Sequence, residues 1–324
     1  MKLKEMVEIC YGKNQKDVEV SFSDIPILGT GGIIGFASKP LYDKESVLIG
    51  RKGTIDTPFY INRPFWTIDT LFYTKVNSQI VLSKYLYYYL STIGLSRYSE
   101  GAAVPSLTTK TLYEIDISLH DKPTQQHIVN TIGTVDDLIE KNIKTIDKLE
   151  QLSRLIYLKH KNHRDGNLLL GDCCDIKTGK LDANACSKDG PYPFFTCGQE
   201  ILRIDNYAFD CEAIIISGNG EISAKYYNGK FNAYQRTYVL SPSKLFYLFM
   251  EECKLSIFDL KNNSQGSVIK FITKGMLENI AVVNDEDSIR INRKLCEIYK
   301  QVTNIKNKIN ILKNIKTKLL NKYF

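Results

Sequence analysis

No stretch of this 324-residue chain approaches the roughly 20 apolar residues needed to cross a bilayer, which argues against a membrane-spanning role. Met1-Lys2-Leu3-Lys4-Glu5 leads into an amphipathic segment, not a signal-peptide core, so a cytoplasmic protein is expected. The eight cysteines form no Cys-x-x-Cys pair, and all but Cys10 fall from Cys173 onward; reduced structural thiols are expected, with no metal site. Gly12-Lys13, Gly179-Lys180 and Gly229-Lys230 each lack the glycine five places earlier that a phosphate-cradling loop requires. Gly29-Thr30-Gly31-Gly32-Ile33-Ile34-Gly35 puts Ile34 where a dinucleotide fingerprint needs its third glycine, and no Gly-x-Ser-x-Gly elbow occurs. Asn62-Arg63-Pro64-Phe65 resembles a methyltransferase Asn-Pro-Pro-Phe loop but has no glycine-rich cofactor loop beside it. Asp165, Asp175 and Lys177 suggest a nuclease set only until Glu8 and Cys10 are found at the corresponding earlier positions. His160-Lys161-Asn162-His163 reads as a solvated helix end. No catalytic residue is expected in this chain.

What the chain does contain is a plan written twice. Leu3 and Leu170 stand 167 positions apart, and at the same interval Glu8-Ile9 answers Asp175-Ile176, Gly12-Lys13 answers Gly179-Lys180, and Pro26-Ile27-Leu28 answers Pro193-Phe194-Phe195. Ser46-Val47-Leu48-Ile49-Gly50 matches the run from Ala213 to Gly218 with a shift of one residue, and Thr109-Lys110-Thr111-Leu112 matches Thr273-Lys274-Gly275-Met276 after a short gap. Such a period is too long for a solenoid repeat and fits a domain followed by a connecting helix.

Each copy opens with short β-branched and aromatic runs between glycine and proline turns, then a short helix, which predicts an α+β domain. Strands are expected at residues 46–50, 67–76, 213–217 and 234–240. Ser78 is the expected cap of the first short helix, the other helix starts near residue 243, and Asn219-Gly220 is the expected two-residue hairpin turn.

After Pro123 the pattern becomes helical, with apolar positions Ile128, Ile132, Val135, Ile139, Ile146, Leu149 and Ile156. The later helix carries Leu295, Ile298, Val302, Ile305, Ile309, Leu312 and Leu319 at heptad spacing. Each stripe would stay wet alone, so the two helices are expected to pair with each other, antiparallel for reasons of connectivity. The expected architecture is two similar domains, 1–123 and 164–289, separated by a pair of long coiled-coil helices, 124–163 and 290–324, with a pseudo-two-fold axis. A helix of roughly 35 residues would span about 50 Å.

Lys and Arg number 43 against 36 Asp and Glu, and the net charge of +7 permits a polyanionic partner without requiring one. Basic and hydrogen-bonding residues near the predicted turns are the candidate DNA contacts. In the first copy they are Lys13, Lys39, Arg51, Lys52, Arg63, Thr67 and Lys110. In the second they are Lys180, Lys188, Asn219, Lys225, Tyr227, Asn232, Gln235, Arg236, Lys270 and Lys274. Cations suit phosphate oxygens, and Arg, Gln and Asn can read base edges through paired hydrogen bonds.

Several of these segments together resemble one known family. They are Leu170-Gly171-Asp172 leading to Asp175-Ile176 and Gly179-Lys180, residues 26–35, Val47-Leu48-Ile49-Gly50-Arg51-Lys52-Gly53, and Pro123 with Gln126, Ile128 and Val129. In this order, repeated and followed each time by a heptad helix, they resemble the specificity subunit of type I restriction-modification enzymes. The resemblance implies a non-catalytic subunit with two target recognition domains, each reading half of a bipartite, asymmetric double-stranded DNA site. It also implies docking to modification subunits, two of them expected, and to restriction subunits. S-adenosylmethionine, ATP and Mg would be held by those partners, with no cofactor in this chain. Competing readings are the recognition subunit of a type IIB-like or orphan methyltransferase system, and a protein-only coiled-coil scaffold.

Overall fold

The computed structural model describes residues 1–100, 104–262 and 271–324, and the side chains of 259–262 are left out of the description. The chain forms two compact units, one from Met1–Lys141 with Lys308–Phe324 and the other from Asn142–Asn307.

The first unit holds β1 (Val7–Tyr11), β2 (Glu19–Val20), β3 (Pro26–Gly29), β4 (Gly32–Ala37), β5 (Ser46–Gly50), β6 (Phe59–Ile61), β7 (Trp66–Thr67) and β8 (Leu71–Val76). Helices α1 (Ser83–Leu90) and α2 (Thr109–Tyr113) follow, and α3 (Lys122–Lys161) begins here. One sheet has the order β1-β8-β5-β6, and the other has the order β2-β4-β3-β7 with β3 and β7 parallel. Strand β5 is buried throughout because helices cover one face and the second sheet's residues cover the other: Val47 and Ile49 pack with Phe72, Tyr85 and Leu112, while Leu48 packs with Leu28 and Phe65. Its one polar side chain is satisfied, since Ser46 Oγ donates to Thr74 O at 2.8 Å and accepts from Thr74 N.

The second unit holds β9 (Leu168–Leu169), β10 (Lys177–Thr178), β11 (Tyr192–Phe195), β12 (Leu202–Ile204), β13 (Phe209–Ser217), β14 (Ala224–Ala233), β15 (Thr237–Leu240) and β16 (Ala281–Val282). Its helices are the later part of α3 from residue 142, α4 (Phe246–Asn262), α5 (Lys274–Glu278) and residues 288–307 of α6 (Ser288–Tyr323). Six strands join in the order β10-β15-β13-β14-β11-β12, and β11 is parallel to β14. In this unit β14 continues where the first unit has two separate strands, β6 and β7. Asn62-Arg63-Pro64 accounts for the break, because proline has no amide to donate to a ladder, and Phe65 pairs instead with Tyr42.

The two copies are recognisable bond by bond. Leu3 N donates to Ile115 O at 2.9 Å, and Leu170 N donates to Ile280 O at 2.8 Å. Ile68 N reaches Leu28 O at 3.1 Å, and Tyr234 N reaches Phe195 O at 2.9 Å. Thr108 and Thr273 cap α2 and α5 alike, each hydroxyl oxygen accepting from the amide three residues on. Gln125 and Asn292 each use a side-chain carbonyl to receive an amide at the start of α1 or α4. Gly12 and Gly179 share a tight crossing: a Cβ on Gly12 would stand 1.9 Å from Ile68 O, and one on Gly179 would stand 1.9 Å from Ala233 O.

Both long helices contribute to each core. In the first unit Ile128 and Ile132 of α3 are fully buried, and Leu319, Leu320, Tyr323 and Phe324 pack against the same cluster. Asp136 meets Lys316 at 2.7 Å, and His127 meets Tyr323. In the second unit Glu150 pairs with Lys306 at 3.7 Å, and His160 meets Ser288 at 3.2 Å. Within each unit, therefore, α3 and α6 run in opposite directions. Val135, Ile146, Leu295, Ile298, Val302, Ile309 and Leu312 are buried, while Ile139, Leu149, Ile156, Ile305 and Leu319 are half-buried. Ser153 interrupts the apolar series because its hydroxyl donates to buried Glu251 at 2.7 Å.

Five local expectations are corrected. Helix α1 starts at Ser83 and is not capped by Ser78, because Asn77 draws residues 79–81 into a turn through its side chain and carbonyl. Strand 67–76 is broken at 68–70, and strand 234–240 at 235–236, where the chain turns to meet the next loop. Asn219-Gly220 lies in a longer β13–β14 connection, since the last ladder pair is Ile216 with Ala224. His160 is buried against Ser288, not solvated.

Gly12→Ala and Gly179→Ala are each expected to lower stability by about 2 kcal/mol or more, since the added methyl meets backbone and not a movable side chain. A urea midpoint equal to that of the parent protein would show that the crossing is not tight.

Candidate nucleic-acid interface

In the first unit four connections meet at the end of β5. Arg51 N donates to Thr70 O at 2.8 Å, Gly53 N to Pro105 O at 3.0 Å and Leu107 N to Arg51 O at 2.9 Å. Gly53 has φ of +83°, a conformation that favours glycine, and its Cβ position stands 3.8 Å from Thr30 Oγ1 in the β3–β4 turn. The second unit repeats the construction: Gly218 N donates to Arg236 O at 2.8 Å and Ile272 N to Gly218 O at 2.7 Å. Gly220, with φ of +63°, lies beside Cys197 of the β11–β12 loop, and Cys197 Sγ approaches Arg236 O at 3.5 Å.

These bonds align Arg51 with Gly218 and Thr70 with Arg236. The corner keeps its backbone and moves its charge. In the first unit the guanidinium comes from the β5 turn, where Nη1 donates to Asp69 O at 3.1 Å and the group lies over the Tyr11 ring at 5.2 Å. That leaves an oriented fork with donors to spare. In the second unit it comes from exposed Arg236, beside exposed Gln235, whose amide donates to Leu181 O at 2.9 Å next to Lys180.

The other candidates are distributed unevenly. Lys52 and half-buried Asn219 sit in the corner turns, and exposed Lys13 borders the same chain crossing through Lys13 N to Thr67 O at 2.8 Å. Lys110 and Lys274 are exposed at equivalent places in α2 and α5, with Lys274 paired to Glu278. Lys39, Arg63 and Lys188 are exposed on other loops, with no contact among the described residues that brings them to the corner. Lys270 lies outside the described residues.

Four candidates serve the fold. Thr67 is fully buried, and its Oγ1 has no hydrogen-bond partner among the described residues. Asn232 is buried, donating to Asn206 O at 3.2 Å and accepting from Ala233 N. Tyr227 packs against Phe195 and Phe231, and burial pushes its phenol pKa up. Lys225 Nζ donates to Gly198 O at 2.5 Å and Gln199 O at 3.2 Å, and burial pushes its ammonium pKa down. Tyr11 and Thr30 were missing from the sequence-based set, because their place at the corner comes from long-range contacts and not from local pattern.

Among the described residues no cluster of three or more His, Cys, Asp or Glu is arranged to hold a metal ion, and no helix is long and apolar enough to cross a membrane.

Comparison with known proteins gives a consistent match. The family model described as the type I restriction modification DNA specificity domain matches residues 1–151 and again 167–321. The chain is 41% identical over 144 residues to the specificity subunit of the type I restriction enzyme EcoDI of Escherichia coli, covering 42% of this chain and 32% of that protein. It is 27% identical over 157 residues to a putative type I specificity subunit of Mycoplasma pneumoniae, covering 44% of this chain and 58% of that one. The matched stretches thus span less than two thirds of either relative. The fold is shared with the crystal structure of a type I restriction-modification S subunit from M. genitalium, with a TM-score of 0.65, 16% identity, and coverage of 100% of this chain and 95% of that one.

Removing the Lys225 ammonium as Lys225→Met is expected to cost about 1 kcal/mol and to speed amide exchange across residues 197–201 while leaving the first unit unchanged. Unchanged exchange there would show that the lysine does not hold the loop.

Proposed function

Because the chain belongs to the type I restriction modification DNA specificity family, we propose that it is the non-catalytic DNA-recognition subunit of such a complex, reading a bipartite and asymmetric site. The observation that carries this reading is the pair of corners: one backbone construction, made twice, with the guanidinium supplied from different loops. Sibling frames with different side chains are what two unlike half-sites require. Arg51 and Arg236 are the proposed base readers, with Gln235 and Asn219 beside them. Lys13, Lys52, Lys110, Lys180 and Lys274 are the proposed phosphate contacts.

We read the two long helices as the spacer that sets the gap between half-sites. The opposite running directions of α3 and α6 inside each unit, and their apolar stripes, support this. The proposed partners are two modification subunits and the restriction subunits, in the cytoplasm. S-adenosylmethionine, ATP and Mg would act on those partners, and this chain would supply orientation and sequence choice alone.

In the assembled complex Arg236→Ala is expected to change which sequence is methylated in one half-site and leave the other half-site intact. Lys13→Ala is expected to weaken every sequence alike and to reduce the salt slope of binding by about one unit. Both are read by mapping methylated adenines and by DNA titrations at several salt concentrations. Equal losses on all sequences for both variants would contradict this division of roles, and a complex whose DNA choice ignores this chain would leave a protein-only scaffold.

Seven residues inserted in heptad register into both helices add about 10 Å, or roughly three base-pair steps, to a helical spacer. The methylated sequence is expected to keep both half-sites and widen its gap accordingly. An unchanged gap would separate the helices from the spacing.

A further inference from the structure

A single exposed isoleucine carries no message, since apolar side chains are common on protein surfaces. The same exposure at equivalent places in two copies is different. In the first unit the β3–β4 ladder pairs Ile27 with Gly35 and Leu28 with Ile33, so Ile34 is an extra, unpaired residue. That bulge breaks the pleat, which is why neighbours Ile33 and Ile34 are both exposed, at 55% and 50%. In the second unit β11 pairs Pro193 with Arg203 and Phe194 with Leu202, as β3 pairs Pro26 with Phe36 and Ile27 with Gly35. Ile201 therefore takes the place of Ile34, and it is 47% exposed.

Both isoleucines lie on hairpins that border the charged corners. Ile34 Cγ2 stands 3.7 Å from the Cβ position of Gly29, and the adjoining Thr30 touches the Gly53 turn. On the other hairpin, Lys225 binds the carbonyls of Gly198 and Gln199, and Gln199 is bonded to Glu221, which fixes the segment just before Ile201. A hairpin that offers a branched aliphatic group beside a turn carrying an arginine matches the edge of a duplex in the major groove. There the one apolar feature among donors and acceptors is the C5-methyl of a pyrimidine.

Resting on the DNA-recognition reading above, we propose that Ile34 and Ile201 are specificity residues that each contact a pyrimidine C5-methyl group, one in each half-site. The positive corner beside each isoleucine selects nucleic acid over an apolar protein surface as the occupant. Phe22, exposed at 83%, is a weaker candidate because nothing in the second unit answers it.

The test uses the complete complex with its modification subunits and a duplex carrying the sequence that complex methylates. Uracil, which lacks the methyl, replaces thymine one position at a time, and affinity is measured by competition at fixed salt. One position in each half-site is expected to lose roughly fourfold, the effect of one buried methyl group. Ile34→Ala is expected to erase the loss in one half-site only, and Ile201→Ala in the other only, with the salt slope unchanged. Ile34→Val and Ile201→Val, which keep a branched aliphatic group, are expected to retain most of the uracil effect. The proposal is overturned if no uracil position separates the parent complex from the alanine variants, or if a half-site has no sensitive thymine. It is also overturned if the alanine variants lose the modification subunits, which would make these residues a protein contact. Failure of the parent complex to choose any DNA sequence would instead overturn the recognition reading itself. Urea midpoints of the variants equal to the parent's confirm that folding is not the cause.

Discussion

The first unit is completed by residues far apart in the chain. Phe324 sets its ring edge against Tyr85 at 5.2 Å and Tyr89 at 5.6 Å, and Leu319 and Leu320 fill the same cluster as Leu3 and Ile128. Aromatic pairs of this geometry add to area burial, and here they join the end of α6 to α1. The second unit has a polar counterpart in the same role. Glu251 accepts from Ser153 at 2.7 Å and Tyr299 at 2.5 Å, while Glu252 is held by Lys161 at 2.8 Å and by Tyr157. Burying carboxylates is costly unless they are hydrogen-bonded, and Glu251 takes its bonds from α3 and α6 together while Glu252 takes its bonds from α3. Either way, each unit needs both α3 and α6.

The corners are built on strands that this packing covers. The corner loops hang from β5, buried along its length, and from the end of β13, buried over residues 213–217, and each is closed by one amide-to-carbonyl bond from Arg51 or Gly218. Those closing bonds are backbone to backbone, so they make no demand on the side chains of Thr70 and Arg236. Thr70 and Arg236 therefore stand on the same backbone bond with different chemistry.

Much of the frame was legible in the residues. The interval from Gly12 to Gly179 is real in space, because both glycines allow the same backbone crossing, and the heptad positions mark the buried stripe of both helices. The family resemblance drawn from segments such as residues 26–35 agrees with a family model that matches the chain twice. Detail at the surface was harder to read. Thr67 and Asn232 look like contact residues in a list of polar side chains, yet the parallel pairing of β3 with β7 and β11 with β14 places both inside. That pairing links residues about 40 apart, so no local window contains it. The bulge at Ile34 is hidden for a different reason, since a run of β-branched residues reads as a plain strand until its partner's register is known.

The order in which the chain leaves the ribosome has a consequence for the first unit. Its strands are synthesised early, but the aromatic side chain that covers Tyr85 and Tyr89 lies beyond the whole of the second unit in sequence. The half that emerges first must therefore wait with part of its interior uncovered while the other half is made and folded. Until those last residues are made, the nascent first unit exposes apolar surface of the kind that favours aggregation.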